Sequence, residues 1–416
     1  MTLRQKCSTA GRTALARTAP AVLTVLGTVI GTALAGAAPA DAAAGTEIAP
    51  GVTYEQFDIL AARGTTHAHV LSVDLRNRQV RLDLLHPGAV AARATVSALA
   101  RSAGAVAAVN GDFFDITETQ HPGVAATGAS DGPAIASGRV LKAAVPDGQR
   151  FGPALPPGTT TKDVLGVGTD RRARLDRLTL KGSVRAPGMR LPLGGLNQFA
   201  LPVGSVGAFT SRWGGVSRAR AVCGTDTDRA APCSTDTYEV TVRHGRVVSA
   251  SAAPGSGAIA RGTTVLVGRE AGARKLRRLF TGEHVTVRQR LVASASRGAY
   301  RFAVGGFPVL RHGRPLPGLD TTASAVRTAV GVADGGHRLL LLALDGAPEY
   351  RSGLTLAEVA VVLRSLGSLD GFGLDGGGSS TLVARQRGAS AVSVRNHPSG
   401  GAERPVPNGI GVFSTP

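Results

Sequence analysis

Short apolar runs separated by turn-forming residues make up most of this chain, and this pattern predicts β-strands. Residues 69–75 and 80–85 are two such runs, with polar and apolar side chains alternating along them. Asn77 and Arg78 lie between the two runs. Because short polar connections join antiparallel strands, these residues favour a hairpin.

The second half of the chain has the strongest strand signal. Residues 327–332 and 339–344 are almost entirely apolar, and Asp334-Gly335-Gly336 between them is typical of a hairpin turn. From about residue 140 to 300 the pattern predicts many short strands and turns. Within that part, residues 268–282 are basic and polar, and we interpret them as a solvated connection.

Two segments have the period and the end signals of helices. Thr95 is a suitable N-cap for a helix that Gly104 ends. Thr355 and Glu358 form a capping box for a second helix, which Gly367 ends. Both helices precede a short apolar strand and then an acid-glycine loop, so similar modules are expected to bring these loops to one rim of a sheet.

These patterns predict an α+β fold: a strand-rich mixed sheet with a few short helices. We expect one main domain at 95–416, preceded by a strand-rich extension at 44–94. The pattern of residues 1–43 predicts a secretory signal peptide, with a basic start, an apolar run over 21–38 and the cleavage pattern Ala40-Asp41-Ala42. A retained membrane anchor is the alternative, which the Ala- and Gly-rich run disfavours. The expected location is therefore secreted or cell-wall associated, without stable membrane insertion after cleavage.

Beyond the signal, the chain keeps two cysteines, Cys223 and Cys233, separated by Gly, Asp, Thr and Pro. An even pair in an exported chain predicts one disulfide that closes a small loop. Two cysteines without a histidine cluster are too few for a structural zinc site.

The net charge is +19, with only 4% aromatic residues. Such a charge suits anionic partners, among them phosphate-bearing glycans. The basic residues are scattered along the sequence, and the few aromatics give no base-stacking platform, so nucleic acid is not the expected partner. Dispersed arginines that keep the surface soluble are the simpler interpretation.

Polar residues stand directly after several predicted strands. Asn110 and Asp112 follow one strand, Asp345 follows another, and Asp375-Gly376-Gly377-Gly378-Ser379-Ser380 follows a third. Glycine is costly to order, so three in a row indicate a sharp turn or a close backbone approach. These residues either turn the chain or face a site.

Taken together, seven motifs in this order resemble those of the phosphodiester glycosidases. They are Asn110-Gly111-Asp112-Phe113-Phe114, Arg327-Thr328-Ala329-Val330-Gly331, Asp345-Gly346, Leu356-Ala357-Glu358-Val359-Ala360, Leu374 with the Asp375 hexapeptide, Asn396-His397-Pro398 and Glu403-Arg404-Pro405-Val406. The resemblance runs from about 95 to 413 and is weak over 140–290. It implies an α+β catalytic domain that hydrolyses a sugar-1-phosphodiester, such as a GlcNAc-1-phosphodiester, at the anomeric carbon.

That chemistry requires a carboxylate at the sugar and donors for the departing phosphate. Asp345 and Asp375 are the expected carboxylates, with Asp112 as a third. The predicted substrate contacts are the hydroxyls of Ser379 and Ser380, the amide of Asn110, the N–H groups of Gly376, Gly377 and Gly378 as an anion nest, and the guanidinium groups of Arg327 and Arg404.

A carboxylate beside a phosphate nest repels the phosphate, and two arrangements remain open. Asp375 faces the sugar while the glycines face the phosphate, which requires no cofactor. Otherwise Asp112, Asp345 and Asp375 hold Ca²⁺ or Mg²⁺ in a metal-dependent phosphodiesterase that cleaves P–O. A non-catalytic module that binds surface glycans is a third interpretation.

Overall fold

The computed structural model describes residues 45–415, and the predicted signal peptide lies outside this range. The described residues form 25 strands. They are β1 (Thr46–Ala49), β2 (Val52–Ala61), β3 (Gly64–Asp74), β4 (Val80–Leu85), β5 (Ala107–Asn110), β6 (Ala134–Ala136), β7 (Arg139–Lys142), β8 (Asp163–Gly168), β9 (Ala173–Ala186), β10 (Met189–Pro192), β11 (Gly195–Leu196), β12 (Val206–Phe209), β13 (Thr237–Arg243), β14 (Arg246–Ser251), β15 (Thr263–Arg269), β16 (Thr286–Ala293), β17 (Tyr300–Gly305), β18 (Phe307–Arg311), β19 (Arg314–Pro315), β20 (Thr328–Ala333), β21 (Arg338–Leu344), β22 (Asp370–Leu374), β23 (Leu382–Arg385), β24 (Val392–Val394) and β25 (Gly409–Ser414).

Three α-helices accompany the strands within residues 45–415: α1 (Val96–Ala103), α2 (Ala271–Leu276) and α3 (Leu356–Ser365). Thr95 caps α1 and Gly104 ends it with a left-handed backbone, while Thr355 and Glu358 form the capping box of α3. The predicted strand-rich α+β fold and both predicted helices are therefore confirmed. No helix of the described residues is long and apolar enough to span a membrane.

Two sheets form the layers that position the candidate site. The larger has the order β1-β2-β3-β21-β20-β22-β18-β19, and the smaller has the order β24-β23-β5-β25-β4. Their inner faces share one apolar core, to which Leu341, Phe372, Val109 and Ile410 contribute. Helix α3 covers the outer face of the larger sheet, and α1 covers the outer face of the smaller one.

The run from Arg338 to Leu344 shows why continuous apolar strands belong to buried sheets. Alternate side chains pack into the core between the sheets and into the core beneath α3. Strand β21 also pairs antiparallel with β20, which confirms the hairpin around Asp334-Gly335-Gly336. Its other edge pairs with β3, so the N-terminal strands belong to the same sheet as the later ones.

Two local predictions are wrong. Strands β3 and β4 do not form a hairpin, because β3 pairs with β21 and β4 pairs with β25, in different sheets. The turn at Asn77 instead carries the chain from one sheet to the other. Residues 268–282 are not simply a solvated connection: β15 runs to Arg269, which is 2% exposed and donates to Ser234 Oγ at 2.7 Å, and α2 follows.

The middle of the chain adds two further sheets. One has the order β10-β9-β8-β17-β6-β7, with β16 also paired to β9, and the other has the order β11-β12-β15-β13-β14. The predicted disulfide is present here, between Cys223 and Cys233. It joins residues on either side of a short loop.

Candidate active site

The candidate site lies where the two layered sheets meet at one edge. Strands β21 and β22 end at this edge of the larger sheet, and β5 ends at the adjoining edge of the smaller one. Asp375 N donates to Gly111 O at 3.0 Å across the gap. The acid-glycine loops thus meet between two sheets, and not on the rim of a single sheet as the sequence pattern predicted.

Asn110 connects these loops from within the protein. Its Nδ2 donates to Asp375 O at 2.7 Å, and its Oδ1 accepts from Thr381 N at 3.1 Å and lies 2.8 Å from Thr328 Oγ1. The side chain has no exposed area. Asn110 therefore positions the loop of Asp375, and contact of its amide with sugar hydroxyls stays a prediction.

Asp112 is equally enclosed. Its Oδ1 accepts from Phe113 N at 2.8 Å and its Oδ2 from Gly132 N at 2.7 Å. Burial raises the pKa of Asp112, although the nearby Lys142 ammonium partly opposes that rise. Both oxygens of Asp112 hold the loop, and its charge contributes to the raised pKa of Asp375; its predicted catalytic role stays a prediction.

Asp375 has one partnered and one unpartnered oxygen. Oδ1 accepts from Gly376 N at 3.0 Å, whereas Oδ2 is buried without a hydrogen-bond partner in the described part of the chain. Burial raises the pKa of Asp375 to about 7, against the nearby Ser379 hydroxyl, the Gly376 N–H and the Arg404 charge. Near neutral pH this group therefore titrates, and one of its oxygens is left without a protein partner.

The glycines after Asp375 serve geometry more than anion binding. Gly376 N is used by Asp375, and Gly377 N donates to Val326 O at 2.8 Å, so these two N–H groups are not free to form the predicted nest. A Cβ on Gly378 would lie 2.4 Å from Arg404 Nη2. Glycine at 378 thus allows the Arg404 guanidinium to lie across the loop.

Arg404 is the cation that reaches this loop. Its Nη1 donates to Ser379 Oγ at 3.2 Å, and its charge acts on Asp375. Ser379 is itself fully buried. The guanidinium is half-buried, with no carboxylate partner among the ion pairs of residues 45–415. It is the donor best placed to bind an anion beside Asp375.

Two other predicted contacts are oriented elsewhere. Arg327 donates from Nε to Leu354 O at 3.0 Å and from Nη2 to Ala323 O at 2.7 Å, so it holds the loop before α3, and its role as a phosphate clamp stays a prediction. The Ser380 hydroxyl is fully buried and lies 3.0 Å from Thr328 Oγ1. Its contact with substrate likewise stays a prediction.

Asp345 contrasts with Asp375, because donors surround both of its oxygens. Oδ1 accepts from Ala347 N at 2.8 Å, and Oδ2 accepts from His397 N at 3.2 Å. The ring of His69 places Nε2 at 3.3 Å from Oδ2. Burial alone would raise the pKa of Asp345, but these donors together lower it below the ordinary value.

His69 and Tyr54 are site residues that the sequence reasoning missed. Burial lowers the pKa of His69 to about 4, so the ring is neutral at pH 7. Because Nε2 of His69 faces the ionised carboxylate of Asp345, Nε2 carries the ring proton. Nδ1 of the same ring then accepts from Tyr54 Oη at 2.7 Å. The alternation of β2 and β3 placed both residues on strands, but only the pairing of β3 with β21 brings them to Asp345.

Two asparagines complete the support. Asn396 donates to Leu344 O at 3.2 Å and to Ser380 O at 2.9 Å, and so connects the loops of Asp345 and Asp375. Asn408 accepts from Asp112 N at 2.9 Å through its side chain. Asn396 belongs to a family motif, whereas Asn408 carried no signal beyond a polar residue before a strand.

The three aspartates predicted as cation ligands do not converge. Within residues 45–415, the one group of three ligand side chains whose ligand atoms lie within 4.8 Å of each other is His121, Cys223 and Cys233. The two cysteines of that group form the disulfide.

The fold and the site define a mostly β domain in which two layered sheets bring together two strand-end aspartates, a glycine loop and an arginine. Residues 236–413 match the family model of the phosphodiester glycosidases. The resemblance seen in the sequence is thus confirmed over this part of the chain, which contains Asp345, Asp375 and Arg404. This match supports a glycosidase-type hydrolase. No curated protein matches the chain.

Solved structures share the fold. A hypothetical protein from Synechocystis aligns with a TM-score of 0.67 at 19% identity, covering 88% of this chain and 62% of that one. A candidate exported protein from Burkholderia pseudomallei K96243 aligns with a TM-score of 0.64 at 24% identity, covering 84% and 74%. The chain thus spans less than two thirds of the Synechocystis protein. The zebrafish N-acetylglucosamine-1-phosphodiester alpha-N-acetylglucosaminidase catalytic domain, auto-inhibited by its pro-peptide, aligns over 90% of this chain and 87% of its own at 16% identity, with a TM-score of only 0.43.

Proposed function

We propose that this protein hydrolyses a sugar-1-phosphodiester at the bond between the anomeric carbon and oxygen. The observation that carries the proposal is the pair Asp345 and Asp375, whose surroundings move their pKa values in opposite directions. Two carboxyl groups whose pKa values differ in this way supply an ionised base or nucleophile and a proton donor at the same pH. The family match over residues 236–413 supports the same reaction class.

In this reaction Asp345 remains ionised. Its carboxylate either attacks the anomeric carbon or removes a proton from an attacking water. The new bond forms to the anomeric carbon, and the bond to the phosphate oxygen breaks with its electron pair on the phosphate. After direct attack, water hydrolyses the glycosyl ester on Asp345, and the deprotonated Asp375 removes a proton from that water. The donors from His69, His397 and Ala347 stabilise the anion and fix its orientation.

The leaving phosphate is assigned to Arg404. Its guanidinium lies across Gly378 and beside Asp375, and a guanidinium offers two parallel donors to phosphate. The repulsion expected between phosphate and Asp375 disappears when Asp375 holds a proton. With a pKa of about 7, Asp375 can carry that proton and donate it to the departing oxygen, so a proton takes the place of the cation considered from the sequence.

The test is hydrolysis of a GlcNAc-1-phosphodiester in ¹⁸O-labelled water, with and without EDTA. We expect the label on the sugar and no effect of the chelator. Label on the phosphate together with EDTA inhibition would establish the metal-dependent phosphodiesterase instead, and no turnover across a panel of sugar-1-phosphodiesters would favour a binding module. NMR of the first anomer formed would then separate direct attack by Asp345 from activation of water.

We also propose that the protein acts outside the cytoplasm, on phosphate-bearing glycans of the cell surface. The N-terminal signal pattern and the Cys223–Cys233 disulfide support export. N-terminal sequencing of protein recovered from culture medium and from the cell wall tests it. A new N-terminus just after Ala42 or Ala43 is expected, and an intact N-terminus in the membrane fraction would contradict it.

A further inference from the structure

Strands β9, β10 and β16 belong to the sheet with the order β10-β9-β8-β17-β6-β7. The two faces of this three-stranded part differ in character. On one face Leu180, Val184, Leu191 and Leu291 pack into an apolar core. The opposite face carries Lys181 and Arg185 of β9, Arg190 of β10, and Arg288 and Arg290 of β16. All five side chains are exposed, and they define what we call the basic face.

The strand register places like charges beside each other on the basic face. Lys181 is directly opposite Arg290, and Arg185 is directly opposite Arg190. Like charges in directly opposite positions destabilise a sheet. Residues that appear dispersed along the sequence are thus concentrated in space, at a cost to the folded state.

No acidic side chain compensates this charge. Residues 178–192 and 286–293 contain neither Asp nor Glu. Across the described residues, none of the ion pairs involves any of the five cations. Lys181, Arg190, Arg288 and Arg290 also line a shallow groove of about 750 Å³. The face therefore offers a row of free donors to an extended anion.

We propose that the basic face binds an extended anionic glycan polymer that carries phosphodiester groups. Charge complementarity supports a polyanion, because several phosphates of one chain can contact cations along the three strands at once. The lining of the groove has no aromatic side chain for stacking bases and no large exposed apolar side chain for insertion into a bilayer. The choice of a phosphodiester glycan among polyanions rests on the proposed function, whereas binding itself does not require turnover.

The experiment measures binding of a fluorescent poly(N-acetylglucosamine 1-phosphate) chain to full-length mature protein carrying Asp375→Asn, which slows hydrolysis during the measurement. The test variant adds Lys181→Gln, Arg288→Gln and Arg290→Gln. The matched control adds Arg243→Gln, Arg364→Gln and Arg387→Gln, which removes the same charge from exposed positions elsewhere.

We expect the test variant to bind at least tenfold more weakly at low salt, and its salt dependence to become shallower by about 2 in the log–log slope, from three lost phosphate contacts. The control should change affinity less than threefold. Inorganic phosphate at equal phosphate concentration should compete poorly, because it cannot contact several cations at once.

Equal binding by the test and control variants would overturn the proposal. So would tighter binding through this face of a single-stranded DNA oligonucleotide or of phosphatidylserine vesicles. In the Asp375 wild-type background, the three glutamine substitutions should leave turnover of a small sugar-1-phosphodiester unchanged. If no sugar-1-phosphodiester is hydrolysed but polymer binding follows this pattern, the proposed function fails and the binding face stands.

Discussion

Asp345 and Asp375 occupy matching places in the sequence and opposite environments in the structure. Each follows an apolar strand and precedes glycine, and each ends its strand at the same edge of the larger sheet. Yet donors surround both oxygens of Asp345, whereas Asp375 keeps one buried oxygen without a partner. The pKa of the first is lowered and that of the second is raised to about 7.

The difference comes from residues far away in the sequence. Asp345 receives donors from His69, on β3, and from His397, near the C-terminus. For Asp375, removal from water is the main cause of the raised pKa, and the charge of the buried Asp112 raises it further. A strand-end aspartate thus marks the position of a site, while tertiary neighbours decide whether it holds a charge or a proton.

The largest expected effect is on turnover. Asp345→Asn and Asp375→Asn should each lower kcat by about 10³-fold, since each removes one half of an acid–base pair. The two changes should differ in pH dependence: Asp375→Asn should remove the decline in activity above pH 7, and Asp345→Asn should remove the acid limb. Steady-state kinetics from pH 2.5 to 9 measure both, because the acid limb of Asp345 is expected below the ordinary value of 3.8.

Asp334→Asn serves as the control, because this carboxylate is exposed in the β20–β21 turn, at the end of β21 opposite to Asp345. It should leave kcat within twofold. If either site variant kept full turnover, that aspartate would have no part in catalysis and the division of roles between the two would be wrong.

The next largest effect is on stability, whose dependence on pH should be opposite for the two aspartates. The folded-state pKa of Asp375, about 7, exceeds the ordinary value of 3.8, so the native state binds the proton more tightly and loses stability as pH rises through this window. Asp375→Asn removes that loss. At pH 8 the variant should unfold with a higher free energy, by up to about 4 kcal/mol at ~1.4 kcal/mol per pKa unit, and below pH 4 the gain should vanish.

Urea unfolding at pH 4, 6 and 8 tests this, with Glu349→Gln as an exposed control. The lowered pKa of Asp345 predicts the reverse trend for Asp345→Asn, whose loss of stability should grow as pH rises toward the ordinary value of 3.8 and be complete above it. An Asp375→Asn variant equally stable relative to wild type at pH 4 and pH 8 would show that Asp375 does not carry a raised pKa.

The parts of the fold that local chemistry decides were predictable. The capping residues Thr95 and Thr355, and the β20–β21 hairpin, follow from signals within a few residues of each other. The turn at Asn77 was misread because its residues suit a hairpin and a crossing between sheets equally well. Only the distant partners of β3 and β4 distinguish the two.

The candidate site was likewise predictable only in part from the sequence. Asp345, Asp375 and Arg404 stand in recognisable motifs, and the structure brings Arg404 to the Asp375 loop. Asn110 and Arg327 stand in motifs too, yet their side chains are used on backbone groups inside the protein. Motif membership does not reveal which direction a side chain takes, because that depends on the burial of neighbouring loops.

A smaller effect is expected at Gly378, on the Asp375 side of the comparison. Gly378→Ala places a methyl group within 2.4 Å of the Arg404 Nη2 position, so the guanidinium must move off the loop. KM for a sugar-1-phosphodiester should rise roughly tenfold to a hundredfold as the phosphate loses its charged partner, with Arg404→Gln giving a similar rise. The control is Gly298→Ala, at a loop position with open space around its Cβ and no left-handed backbone. Unchanged KM in Gly378→Ala would show that Arg404 does not bind the leaving phosphate.

The smallest expected effect tests the Asp345 side, through His69. His69→Leu removes the Nε2 donor, which lies 3.3 Å from Asp345 Oδ2, so the pKa of Asp345 should rise. The acid limb of kcat/KM should move upward by about one pH unit, which is the size of effect that one lost hydrogen bond to a charged group produces. His69→Gln keeps an amide donor and should restore part of the shift, whereas Tyr54→Phe should give a smaller one, since the hydroxyl acts only by fixing the ring tautomer. If all three variants kept the wild-type acid limb, the low pKa of Asp345 would depend on the backbone N–H groups of Ala347 and His397 alone, and the N-terminal strands would contribute structure without tuning the charge.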